Sequence, residues 1–307
     1  MKTQTTDTYQ RITDYVIEQL EKGYVVWEKG WNTLGLPKNI VTGHHYKGWN
    51  VFLLNFITMY HAYKTPYFIT YKQAMDLEGT IRRGQKGYPV VWWATLEDKS
   101  KVIEINGEEQ YLTYRVPKFH TVFNIEQTHG IEFPKTEELS RSHTFKIQTC
   151  EETVCNIRLR PVIKHGGDHA YYYPKHDLVQ IPNVEQFYSD EGYYKTLFHE
   201  LAHSTGHAKR LNRKELVESH GLGKELYSKE ELTAELTAAF LCAVCGIGQE
   251  MITNSVAYIQ GWLNVLKNDK RLILKAASQA QAAADYILNV NMDLQRSAIT
   301  EYKSMRV

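Results

Sequence analysis

The stretch YYKTLFHELAHSTGHAKRLNR, Tyr193 to Arg213, decides how the second half of this chain is read. His199 and His203 are four residues apart, so on a helix their imidazoles share one face and can share one metal ion. Glu200, beside the first histidine, is then placed to act as general base toward water. Leu197, Leu201 and Ala202 make another face of the same helix apolar, as expected where a helix packs on a core. The bland alternative is a surface helix that carries two histidines by chance, and the surroundings of the motif weigh against it.

A tetrahedral site needs a third protein ligand. His207 lies on the same side as the histidine pair, but a metal between His199 and His203 is out of its easy reach. Gly206 stands where the HExxHxxGxxH class has its glycine, yet the third histidine of that class would fall on Lys209, which excludes it. The better source is a helix expected over Ser228 to Val244, where Glu231 and Glu235 are four apart and share a face. Glu231 is assigned to the metal and Glu235 to orienting a ligand histidine through its ring N–H, with Glu235 as the alternative ligand. Against this, Ser228 and Glu231 also fit a capping box. Two imidazoles and a carboxylate suit Zn2+ best, with Mn2+ or Co2+ also compatible. Tyr172 (within Tyr171 to Tyr173), His207 and Tyr227 are candidate oxyanion stabilisers, although a row of tyrosines equally fits cross-strand packing. Cys242 and Cys245 form a CxxC inside an apolar helix with no second pair, which reads as core.

The 307 residues suffice for two ordinary domains, and 43% hydrophobic with 23% charged residues is the balance of a globular protein in water. No run reaches the roughly 18 apolar residues of a membrane span, and MKTQTTDTYQ lacks the basic-then-apolar order of a secretory signal. The expected compartment is therefore the cytoplasm, where the four cysteines stay reduced. A helix is expected from Tyr9 to Leu20, a buried helix over Trp49 to Tyr63 and a short one over Thr70 to Leu77. Strands are expected at Tyr88 to Thr95, Val102 to Ile105 and Tyr111 to Asn124. The polar run PKTEELSRSH (134–143) marks the domain boundary, giving a first domain over 1–134, a linker over 135–143 and a second domain over 144–307. In the second domain Pro161 to Lys164, His169 to Tyr173 and Leu178 to Ile181 alternate like strands, with the last expected to be an edge available to an extended peptide. Helix follows almost to the C-terminus, so the class is α+β.

Net charge of +1 argues against coating nucleic acid by bulk attraction, so any such binding must come from a local patch. Single strands need cations that follow phosphates and aromatic faces for stacking bases. The first domain offers Lys38, Lys47, Arg82, Arg83 and Lys86 among Trp31, Tyr46, Trp49, Tyr67 and Tyr71, and the turn RRGQKG (82–87) can present backbone N–H groups to a phosphate. Each feature also has a plain structural reading, since Trp and Tyr are usually core and a basic turn is usually solvated.

Several segments, in order, resemble a known family: TGHHYKGWN (42–50), IRRGQKG (81–87), FHTVFNIEQTHGI (119–131), the histidine motif, EELTAELTAAFLCA (230–243) and YIQGWLNVLKNDKR (258–271). They are similar to ArdC-type antirestriction proteins, whose N-terminal domain type also fronts TraC-type plasmid primases. The resemblance implies a first domain that binds single-stranded DNA, a zincin-like metallopeptidase second domain, and protection of conjugatively entering DNA from restriction. Two other readings remain: a non-catalytic protein that shields DNA or binds a restriction enzyme, with a structural metal, and an ordinary cytosolic metallopeptidase acting on another protein substrate.

Overall fold

The structure is a computed structural model that describes residues 8–27, 35–105, 108–134, 142–217, 224–248 and 256–290. It is a mixed helix and strand protein of two compact units, Met1–Leu139 with Ile252–Leu274, and Ser140–Met251 with Lys275–Val307.

In the first unit α1 (Thr8–Glu21) buries Ile12, Val16 and Leu20, the positions its helical periodicity marks as inward. β1 (Lys38–Asn39) precedes α2 (Trp49–Tyr60), whose residues Trp49 to Thr58 are all buried, so an apolar run without a polar face becomes a central helix. β2 (Tyr67–Thr70) leads into α3 (Tyr71–Asp76), started by a capping box between Thr70 and Gln73. After β3 (Thr80–Ile81), β4 (Tyr88–Ile105) and β5 (Glu108–Asn124) form one long antiparallel hairpin, paired from Tyr88↔Val122 to Ile105↔Glu108. The three strands expected here are thus two, because the polar stretch at Asp98 to Lys101 shifts the register without ending the ladder. The sheet order is β1-β2-β5-β4, while β6 (Thr128–His129) pairs with β3.

The second unit opens with α4 (His143–Cys155), capped by the Ser142 hydroxyl, which accepts from the Phe145 N–H at 3.2 Å. Only Cys150, Thr153 and Val154 are buried along it, so the apolar spacing in the sequence is too sparse to announce a helix. β7 (Val162–His165), β8 (Tyr171–Tyr173) and β9 (Leu178–Ile181) form a sheet in the order β7-β9-β8, with β8 antiparallel to β9. The strand expected at the edge, Leu178–Ile181, is therefore central, which explains why Val179 and Ile181 are fully buried, and β8 is an outer strand. α5 (Asp190–Thr205) is capped by Ser189, has Asp190 and Glu191 at its positive end, and ends at Gly206. After the single turn α6 (Lys214–Val217) comes α7 (Lys224–Cys245), which packs along α5. Ser228 lies inside α7 rather than at its start, so the capping-box reading of Glu231 does not hold.

The chain then returns to the first unit. α8 (Val256–Asn268) packs on α1, burying Leu263, Leu266 and Trp262, whose ring meets Trp27 edge-on at 6.0 Å. A strictly sequential division at 134 and 144 misses this excursion, because an amphipathic helix records that it has an inward face and not which core receives it. α9 (Leu272–Ile287) follows, with Ala276, Ala277, Ala280, Ala283 and Ala284 buried along one stripe. Among the described residues no helix is long and apolar enough to cross a membrane.

Candidate metal centre

α5 sets His199 and His203 one turn apart with their Nε2 atoms 3.1 Å from each other. α7 supplies the third group: the Glu231 carboxylate lies 3.5 Å from His199 Nε2 and 3.3 Å from His203 Nε2. One donor atom from each of the three lies within 4.8 Å of the others. Ligands held about 2.0–2.2 Å from a tetrahedral cation stand roughly 3.4 Å apart, so the donor set fits a divalent metal in spacing and in chemistry. The three residues expected to converge are brought together.

Each imidazole has a second carboxylate behind it. Glu235 Oε1 is 3.8 Å from His199 Nδ1, on the side of the ring away from Glu231, a separation longer than a hydrogen bond. His203 Nδ1 is 3.3 Å from Glu230 Oε1. Glu230 is itself buried and receives Arg213, which donates from Nε at 2.9 Å and also from Nη2. Sequence reasoning missed both Glu230 and Arg213. The available signal was the acidic doublet 230–231: adjacent residues on a helix point about 100° apart, so two glutamates can address opposite edges of one ring.

The electrostatics follow from burial and charge. Burial alone would lower the His203 pKa, but Glu230 and Glu231 outweigh it and push it up to about 10. Burial would raise Glu231, yet hydrogen bonds and charge from His199 and His203 hold its carboxyl well below the usual range. Glu200 is raised, chiefly by burial, despite the opposing pull of the histidines and a backbone hydrogen bond from Tyr172. A carboxylate with a raised proton affinity next to the donor cluster has the character of a general base.

The oxyanion candidates fare differently. The Tyr172 hydroxyl donates to Asp177 Oδ1 at 2.9 Å and accepts from Arg210 Nη2 at 3.2 Å, so it is engaged in a structural network. His207 is half-buried just past the end of α5 and accepts the Lys209 backbone N–H at its Nδ1. Tyr227 lies on α7, and its side chain is outside the described residues.

In the first unit the expected nucleic-acid residues divide into two groups. Lys47, Arg82, Arg83 and Lys86 are exposed, with Gly84 at φ 83 making the turn between the arginines and the lysine. Lys38 sits half-buried with Nζ 4.9 Å from the Tyr67 ring. Trp49 is 3% exposed, so its ring belongs to the core and not to an open stacking face, while Tyr46 is half-buried with its ring edge-on against Phe68. Trp31 lies outside the described residues. Aromatic rings that are exposed on the long hairpin instead include Trp92, stacked on His120 at 5.7 Å with Lys118 Nζ 5.8 Å from its ring.

Comparison with known proteins agrees with this architecture. Residues 6–123 match the family described as the N-terminal domain of anti-restriction factor ArdC, and residues 148–279 match the family of zincin-like metallopeptidases. An uncharacterized protein of Sinorhizobium fredii, y4eC, is 31% identical over 300 residues, covering 96% of this chain and 95% of that protein. A DNA primase TraC of Escherichia coli is 33% identical over 297 residues, 91% of this chain, but the chain spans only 27% of that primase. The crystal structure of antirestriction ArdC protein from the R388 plasmid, in metal-free form, aligns with a TM-score of 0.71 at 35% identity, covering 92% of this chain and 96% of that one. Its Mn(II)-bound form aligns at 0.73 and 34% identity, covering 92% and 97%.

Proposed function

This chain belongs to the ArdC-type antirestriction family, and we propose that it binds single-stranded DNA through its first unit and carries a metallopeptidase-type site in its second. His199, His203 and Glu231 would hold a divalent cation there, zinc by ligand preference, although the related R388 protein has been seen with Mn(II). When bound, the cation supplies Lewis acidity to a carbonyl or a water. Glu200, buried beside the histidines and raised in proton affinity, accepts the proton of the attacking water. Outer strand β8 offers a backbone edge to an extended peptide, with the Tyr172 backbone already bonded to Glu200. The exposed cations of the Arg82–Lys86 turn follow phosphates, and the biological role is protection of conjugatively entering DNA in the cytoplasm.

The observation that carries this reading is the convergence of His199, His203 and Glu231 from two helices, with Glu200 alongside. The test is Glu200→Gln in a restricting host receiving unmodified conjugated DNA, with bound metal measured on the purified variant. Metal retained with protection lost supports hydrolysis. Metal retained with protection intact contradicts it and leaves a protein that shields DNA or occupies the restriction enzyme.

A further inference from the structure

Gly206 has a conformation that does not require glycine. Its φ of −73° and ψ of −10° are ordinary right-handed helical values, which alanine adopts freely. What excludes a side chain is a neighbour: an added Cβ would lie 3.0 Å from Arg213 Nη2, 3.1 Å from its Cζ and 2.9 Å from Leu216 Cδ2. The guanidinium and the Leu216 methyl therefore occupy the space that a side chain at Gly206 would fill, at the end of α5.

From that seat Arg213 makes four hydrogen bonds. Nη1 donates to Thr205 Oγ1 at 2.6 Å, Nη2 to the Ala202 carbonyl at 2.8 Å and to Glu230 Oε1, and Nε to Glu230 Oε2 at 2.9 Å. Both partners of the forked pair are almost fully buried, Arg213 at 5% and Glu230 at 2% exposure, so the carboxylate is fixed in orientation rather than sampling solvent. Its Oε1 faces His203 Nδ1 at 3.3 Å. A carboxylate only accepts, so Nδ1 carries a hydrogen; when the ring gives up its other proton to take a metal, the Nδ1–H stays with Glu230 and the lone pair is left on Nε2, the nitrogen turned toward His199 and Glu231.

The geometry points to Arg213, seated over Gly206, and Glu230 as a positioning pair that fixes the tautomer and orientation of His203 and so sets the metal affinity of the site. This rests on the metal-site reading above. Neither residue touches the reacting atoms; each acts through the histidine. The pair also gives the glycine of HELAHSTG a physical reason independent of the class in which a third histidine follows it.

The test titrates the metal-stripped full chain with Co2+, reading the visible d–d absorption and the unfolding temperature for the wild type, Glu230→Gln and Gly206→Ala, with His199→Ala as the ligand control. Glu230→Gln should weaken Co2+ binding by about 10–100-fold, the usual effect of removing a carboxylate behind a ligand histidine, and change the d–d band shape. Gly206→Ala should weaken binding in the same direction by displacing the guanidinium. If Glu230→Gln fails to fold because Arg213 is left uncompensated, the double change Glu230→Gln with Arg213→Met removes both charges and gives the same reading. A pair with a merely structural role would lower the unfolding temperature and leave affinity and spectrum at wild-type values, which overturns the inference. Should the wild type take up no more Co2+ than His199→Ala, the metal site itself fails, and the positioning role with it.

Discussion

Arg210 clamps the Asp177 carboxylate with its guanidinium while its Nε donates to the Ser204 carbonyl at 2.7 Å. The turn between β8 and β9 is thereby fastened to the last turn of α5, the turn that carries His203. Arg210 also donates to the Leu159 carbonyl and to the Tyr172 hydroxyl, and its side chain is 1% exposed. Arg210→Ala strands two backbone carbonyls and one carboxylate, so it should cost roughly 2–4 kcal/mol in a urea unfolding experiment. A loss near zero would show that the network is not formed in solution.

The same pair sets a pH dependence. Burial alone would raise the pKa of Asp177, but hydrogen bonds from Arg210 and Tyr172 outweigh it and lower it. The folded value thus lies below the unfolded one of about 3.9, so the stabilisation is complete above that pH and is lost as pH falls through the folded value. Asp177→Asn should therefore be less stable than the wild type at pH 7, and the gap should close as the pH drops below about 4. A gap that is constant between pH 7 and pH 3 would contradict the assignment.

Trp262 joins α8 to the core of the first unit against Trp27. Trp262→Ala should destabilise by about 3–5 kcal/mol, the range for a buried aromatic truncation. The loss should appear in the near-ultraviolet signal of the tryptophans, since five of the six lie before residue 100.

If the Arg82–Lys86 turn follows phosphates, Arg83→Ala and Lys86→Ala should each weaken binding to a single-stranded oligonucleotide and reduce the salt slope by about 0.7. Trp49→Ala should instead damage the fold, because the ring is core. Fluorescence anisotropy over a salt series separates the two, and a slope unchanged in both charge variants would remove the turn from the interface.

The parts of this protein that were legible in its sequence are those specified within one helix or one turn. His199 and His203, Glu231 and Glu235, and the Thr70 start of α3 all follow from the 3.6-residue period or from local capping chemistry. Spacing alone did not show which of two adjacent glutamates lies behind His203, because Glu230 is set by the rotation of α7 against α5 and by Arg213 from the loop between them. Nor did it show that β9 is central, that Trp49 is core and Tyr46 half-buried against Phe68, or that α8 returns to α1. Each of those depends on partners distant in the chain, and an aromatic residue reads alike whether it stacks on a base or on Phe68.

The central claim is that two imidazoles and one carboxylate, drawn from α5 and α7, make a divalent-metal site. The direct measurement is metal content of the purified chain by elemental analysis, beside His199→Ala and Glu231→Ala. About one equivalent in the wild type, falling to roughly a tenth or less in both variants that remain folded, is the predicted result. Wild-type metal content in either folded variant would contradict it.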